Sequence, residues 1–320
     1  MRFSIGVNYS PRGNVREDFA HIADLGLDTV RFFVRWDEGE RGLEQLEAIV
    51  HDASAAGLQT IPALAYAPAT GNVYSGALLE AQAAFAQAAG EQLRAHPAIR
   101  AWDIGHAFST ASPPASGKVT SGEHASEPAA ERTVAAWSKR LASTFKTASS
   151  LPITAGTTSD DVTHDTNIRL ASLCAPLTFA SMQGSNVALA FARGPLDPEP
   201  LPFLALLTAA FSFKPVMITG FGNPAGPYAS EAENAAYCTS VLERLHADGR
   251  LGAYWWSWTG IEAPVAAALS AFARQAREVV KPNDMPMISS TYYYRTLPLS
   301  TQTLFDAFLG FVEERRPASS

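Results

Sequence analysis

The chain has 320 residues with 24 basic against 31 acidic side chains, a net charge of -7, 47% hydrophobic and 17% charged residues. That length can bury one large core, and a barrel of strand–helix units fits it without a split into two domains. The acidic balance argues against a nucleic-acid partner, which would need a basic footprint, and no apolar run reaches the length of a membrane span. The two cysteines, Cys174 and Cys238, are too few for a disulfide framework or a cysteine-built zinc site and read as buried thiols.

Apolar spacing lays out strands and helices in strict alternation. Phe3 to Asn8 reads as a strand, and Val15 to Leu25 as a helix stopped by Gly26. A strand at Thr29 to Val34, a helix from Leu43 to Ala56 stopped by Gly57, and a strand at Thr60 to Leu64 follow. The pattern continues with a helix from Leu78 to Ala95, a strand at Ile99 to Ile104, a helix from Glu131 to Ala148 and a strand at Pro152 to Gly156. A weak helix near Asn167 to Leu173 precedes a strand at Phe179 to Met182, and helix Leu201 to Phe211 precedes a strand at Val216 to Thr219. Helix Glu231 to Ala247, a strand at Gly252 to Ser257 and helix Pro264 to Val279 complete eight strand–helix units.

Eight alternating units favour a single α/β domain, a (β/α)8 TIM barrel over residues 1–280, above a doubly wound sheet. No glycine-rich phosphate loop follows any strand, which weakens the dinucleotide-binding alternative. Ser109 to Pro128, rich in Ser, Pro, Gly and Ala, reads as a long loop after the fourth strand. Residues 281–320 form an aromatic and helical extension, with Tyr292-Tyr293-Tyr294 and a helix near Thr301 to Glu314, expected to pack on the barrel as part of the same domain. No charged and apolar leader precedes the first strand, so the chain as given is expected to be cytoplasmic; a longer, secreted precursor is equally compatible with this start.

In such barrels chemistry gathers where strands end on the C-terminal face. Aromatic residues are frequent there, and flat rings around a polar floor suit sugar rings, whose C–H faces stack while their hydroxyls take hydrogen bonds. Trp36 after the second strand, His106 after the fourth, Gln183 after the sixth, and Trp256 and Trp258 after the eighth are the candidate carbohydrate contacts. Trp256 and Trp258 share one face if the strand continues through them. The seven histidines are scattered without metal-ligand spacing, so neither a metal nor a cofactor is expected.

With these residues in place, the chain resembles a retaining glycoside hydrolase of clan A, close to the cellulase and mannanase group called family five. The likeness runs from Gly6-Val7-Asn8-Tyr9 through Thr29-Val30-Arg31-Phe32 and His96-Pro97-Ala98-Ile99 to Lys214-Pro215-Val216 and Trp255-Trp256-Ser257-Trp258. In that family the fourth strand ends Trp-Asp-(Leu/Ile)-Gly-Asn-Glu, with Glu as acid/base, and the seventh ends (Thr/Ser)-Glu-(Phe/Leu)-Gly, with Glu as nucleophile. Here Trp102-Asp103-Ile104-Gly105 runs into His106-Ala107, and Ile218-Thr219 into Gly220-Phe221-Gly222. The resemblance therefore implies that both catalytic positions, Ala107 and Gly220, are vacant. Gln183-Gly184-Ser185 stands where relatives carry a histidine and a tyrosine, and the eighth loop is short.

Retaining hydrolysis needs two carboxyl groups about 5 Å apart, which Ala and Gly cannot supply. Asp37, Glu38, Asp103, Asp160, Asp161 and Glu262 are the other strand-end acids, and each has a simpler reading as a loop or helix-cap group. Arg31 matches the family's second-strand arginine, whose usual neighbour is the missing nucleophile. Either Asp103 or another acid pairs with it, or it lines an anion-accepting pocket with His106. Losing two glutamate side chains should also enlarge the mouth for water or ligand. Three readings follow: an inactive barrel binding a carbohydrate or a small, even anionic, ligand; a barrel with a new or engineered active site using His106 or Asp103 as general base; or a knock-out variant of a working β-glycosidase.

Overall fold

The computed structural model describes residues 2–11, 13–64, 74, 76–106, 127–163, 168–184, 191–222, 229–259 and 261–278. Within them, strands β1 (Ser4–Tyr9), β2 (Thr29–Val34), β3 (Gln59–Leu64), β4 (Trp102–His106), β5 (Ile153–Thr158), β6 (Ala180–Gln183), β7 (Val216–Phe221) and β8 (Gly252–Trp255) pair in chain order and close into a barrel. Every neighbouring pair is parallel, and closure runs through the register Ser4↔Gly252 to Val7↔Trp255. This is the (β/α)8 barrel that the count of eight predicts.

The connecting helices are α1 (Val15–Asp24), α2 (Glu40–Ala55), α3 (Gly76–Gln92), α4 (Glu127–Ala148), α5 (Asp160–Thr163), α6 (Leu170–Cys174), α7 (Pro200–Ser212), α8 (Glu231–Ala247) and α9 (Ala263–Glu278). Gly26 and Gly57 follow α1 and α2 with φ of 81° and 74°, the left-handed conformation that ends a helix at low cost only in glycine. A 3-10 turn at Trp36–Glu38 and the short α5 were not signalled by apolar period. β4 begins at Trp102 rather than at Ile99, which instead makes an isolated bridge to Thr60. The loop expected over residues 109–128 lies outside the described residues up to 126, and the extension over 281–320 lies wholly outside them.

Strand side chains alternate between two environments. One set, including Val7, Val30, Phe32, Trp102, Ile104, Met182, Ile218 and Trp255, meets the helices in the main apolar cluster, where Trp102 stacks on Phe145 with ring centroids 4.8 Å apart. Inside the ring, Ile61, Ala101, Phe179, Met217, Leu251 and Tyr254 form a separate apolar floor. Ala101, Phe179 and Leu251 each just precede a strand, so this floor lies toward the strands' N-terminal ends and leaves the opposite end to polar residues. Cys174 and Cys238 are both free and buried, and burial pushes the Cys174 thiol up to about 12. Among the described residues no helix is long and apolar enough to cross a membrane.

Candidate functional site

Above the apolar floor lies a charged layer assembled from three strands. Period two in β2 turns Arg31 inward, and a guanidinium with 0% exposure needs charge compensation and hydrogen-bond acceptors from its neighbours. Its Nε and Nη2 donate to Asp103 Oδ2 at 3.0 and 2.8 Å, and Nη1 donates to Asn8 Oδ1 at 2.9 Å. Asn8 Nδ2 donates in turn to the Thr219 carbonyl at 2.8 Å, tying β1 to β7. Asp103 Oδ1 accepts the Gly105 N–H at 3.1 Å. Burial pushes the Asp103 carboxyl above the ordinary carboxylate range, opposed by the Arg31 charge and by backbone N–H groups of Gly105 and Gly156.

This layer decides between the two fates open to Arg31. Asp103 is its partner, and both side chains have 0% exposure. The anion-accepting pocket loses the unpaired cation on which it rested, because the guanidinium is paired with a carboxylate and has 0% exposure. Asp103 as general base meets the same objection: one oxygen holds the guanidinium and the other a backbone N–H.

The rim above this layer carries the residues that can meet a ligand. Trp256 directly follows β8, is 47% exposed, and is fixed by its backbone N–H donating to the Phe221 carbonyl at 2.6 Å. Phe33, two residues beyond Arg31 on the same face of β2, lies edge-on to the Trp256 indole with centroids 6.0 Å apart, and the Arg31 guanidinium packs against its ring at 4.8 Å. Phe33 was not singled out in the sequence, although its i+2 spacing from Arg31 is the signal that places it.

Gln183 and Gly220 are register partners on β6 and β7. A Cβ built on Gly220 would lie 3.2 Å from both Cγ and Oε1 of Gln183, so the glutamine side chain stands against the space a residue-220 side chain would enter. The vacancy expected there is thus partly closed from the neighbouring strand.

The other candidates separate. Trp258 is held apart from Trp256: β8 stops at Trp255, and Trp258 Nε1 donates to Asp18 Oδ1 on α1 at 3.1 Å while its ring and the His21 ring meet edge-on. Trp36, with 6% exposure, lines a groove of about 700 Å³ between α2 and α3, with Leu43, Leu78 and Phe85, on the helical ring and not inside the barrel. His106 ends β4, but its side chain and residues 107 and 185 lie outside the described part. The remaining acids are engaged locally: Asp37 with Arg35, which holds its carboxyl below the usual range; Glu38 with Arg35 and Arg41; Asp161 with the Thr158 N–H and hydroxyl; and Glu262 with Asn234. The side chain of Asp160 is outside the described part. Among the described residues no group of three His, Cys, Asp or Glu side chains could hold a metal ion.

No family profile and no curated protein matches the sequence. Solved structures do match. The exo-β-1,4-mannosidase Op5Man5 from Opitutaceae bacterium strain TAV5 is 19% identical with a TM-score of 0.71 over 87% of this chain, which spans only 60% of that protein's length. A variant of GH5_18 from Streptomyces cattleya, solved with Manb1-4GlcNAc, is 17% identical with a TM-score of 0.74 over 99% of this chain and 93% of its own. GH5_18 from Bifidobacterium longum subsp. longum is 16% identical with a TM-score of 0.73 over 99% and 96%. At these identities the likeness is one of fold: the chain shares its (β/α)8 barrel with these glycoside hydrolase structures, which is the fold that the resemblance implies.

Proposed function

We propose that this barrel binds neutral carbohydrate at its C-terminal mouth and does not hydrolyse it. The observation that carries the reading is Gly220: the position at which the resemblance places the nucleophile bears no side chain, and the carboxamide of Gln183 lies beside it. A retaining mechanism requires a carboxylate there to attack the anomeric carbon and a second to protonate the leaving oxygen, and by sequence the second position is Ala107. The exposed Trp256 indole beside Phe33 offers the flat apolar face that a sugar ring stacks on. Because Arg31 is paired with Asp103 below the rim, it offers a ligand no unpaired charge, which favours a neutral sugar. Two of these solved neighbours are named for β-1,4-mannosidase activity or for a complex with Manb1-4GlcNAc, which makes β-mannosides the first probes.

The test has two parts. Aryl β-mannosides, aryl β-glucosides and soluble β-mannan should release no product above a buffer blank. Manb1-4GlcNAc and mannobiose should perturb tryptophan fluorescence, with the change lost in Trp256→Ala. Turnover that is abolished by one substitution at the mouth would overturn the inactive reading.

A further inference from the structure

Gly220 stands where the resemblance places the nucleophile, and the backbone does not require glycine there. Its φ is not among the positive values, so an L side chain fits the strand conformation. What stands in the way is the side chain of Gln183, whose Cγ and Oε1 would each lie 3.2 Å from an added Cβ and whose Cδ would lie at 3.4 Å. That separation is tighter than ordinary van der Waals contact, so the glutamine must shift by a few tenths of an ångström to admit a side chain at 220. The β6–β7 register shifts between Met182 and Gln183, and the strands are tied just beyond it by the Gly184 N–H donating to the Gly220 carbonyl at 3.0 Å, so the flexible end of the glutamine gives way before the backbone does.

We infer that Gln183 has taken over the space beside Gly220 and is the residue that selects a neutral, uncleaved glycoside at this mouth. The inference rests on the carbohydrate-binding reading above and deepens it. A carboxamide carries both an acceptor and two donors and no charge, so it can hold a sugar hydroxyl in either sense. It cannot supply the charged nucleophile that a carboxylate would, so the glycoside leaves intact. Gln183 is half-buried and lies on the inward face of β6, since Met182 between it and Ser181 points outward to the Thr208 hydroxyl on α7. It therefore reaches the mouth from a rigid strand, which fixes the hydrogen bond in place.

A double-mutant cycle tests the shared space. Affinity for Manb1-4GlcNAc and mannobiose is measured by calorimetry and fluorescence for the wild type, Gln183→Ala, Gly220→Ala and the double variant, with melting temperature confirming that each is folded. Gln183→Ala should weaken binding about tenfold, the worth of one well-placed hydrogen bond. Gly220→Ala should weaken it as well, by displacing the glutamine, and the double variant should bind no worse than Gln183→Ala alone. If no neutral glycoside binds the wild type, the carbohydrate-binding reading falls and the inference with it. If glycosides bind but Gln183→Ala changes affinity less than twofold, or if the two losses add, the inference is wrong while the binding reading stands.

Discussion

Removing Asp103 would leave the Arg31 guanidinium charged in a layer with 0% exposure, without the carboxylate that pairs with it. Asp103→Leu should cost about 3–5 kcal/mol of stability, as breaking a buried pair commonly does. Arg31→Met combined with Asp103→Leu should cost far less than the sum of the two single changes, because no orphaned charge remains; urea unfolding of the three variants checks this. His96 gives the pH dependence. Burial and the neighbouring His51, whose ring centroid is 5.3 Å away, hold its pKa below the ordinary histidine value, and its Nδ1 accepts the Ala98 N–H at 3.2 Å. The folded state therefore resists a proton that the unfolded chain accepts. This contribution to stability is present above the ordinary histidine range and is lost as pH falls through the folded value. The urea midpoint should drop between pH 7.5 and 5.5, and His96→Asn, which keeps an acceptor without titrating, should reduce that drop.

The helices show how local chemistry supports the ring. At the start of α8 the Ser230 hydroxyl accepts the Glu233 N–H at 3.3 Å, while the Glu233 carboxylate accepts the Ser230 N–H at 2.8 Å, a reciprocal cap of two otherwise orphaned donors. Ser230→Ala should lower stability by about 1 kcal/mol, measured by thermal melting, without moving ligand affinity. The apolar period that located α8 at Glu231–Ala247 did so because this helix presents one strong buried face, whereas the 3-10 turn at Trp36–Glu38 has too few residues to show a period. The expected shared face of Trp256 and Trp258 did not form for a related reason. Its pairing with Trp256 assumed that strand alternation continued, and β8 ends at Trp255, after which the chain turns the indole toward Asp18.

Eight alternating units were enough to read the barrel, because parallel strands buried on both sides write apolar runs that survive without any knowledge of contacts. The site was readable only in part. Arg31 and Gly220 stood out through the family resemblance, but the partner of Arg31 is 72 residues away and that of Asn8 is 211 away, and no spacing rule reaches across such distances. Nor does the sequence reveal that Gln183 leans into the space beside Gly220, since that depends on the β6–β7 register. The closure of the ring carries a consequence for biosynthesis. Ser4 and Tyr254, 250 residues apart, share a 3.1 Å hydrogen bond, and β1 has no partner on that side until β8 arrives. At about 5–20 residues per second on the ribosome, β1 waits about 12–50 s with one edge open. Throughout that interval the nascent chain exposes a strand edge and an uncovered floor to other chains, so its yield in the cell depends on what shields β1 as much as on the stability of the finished barrel.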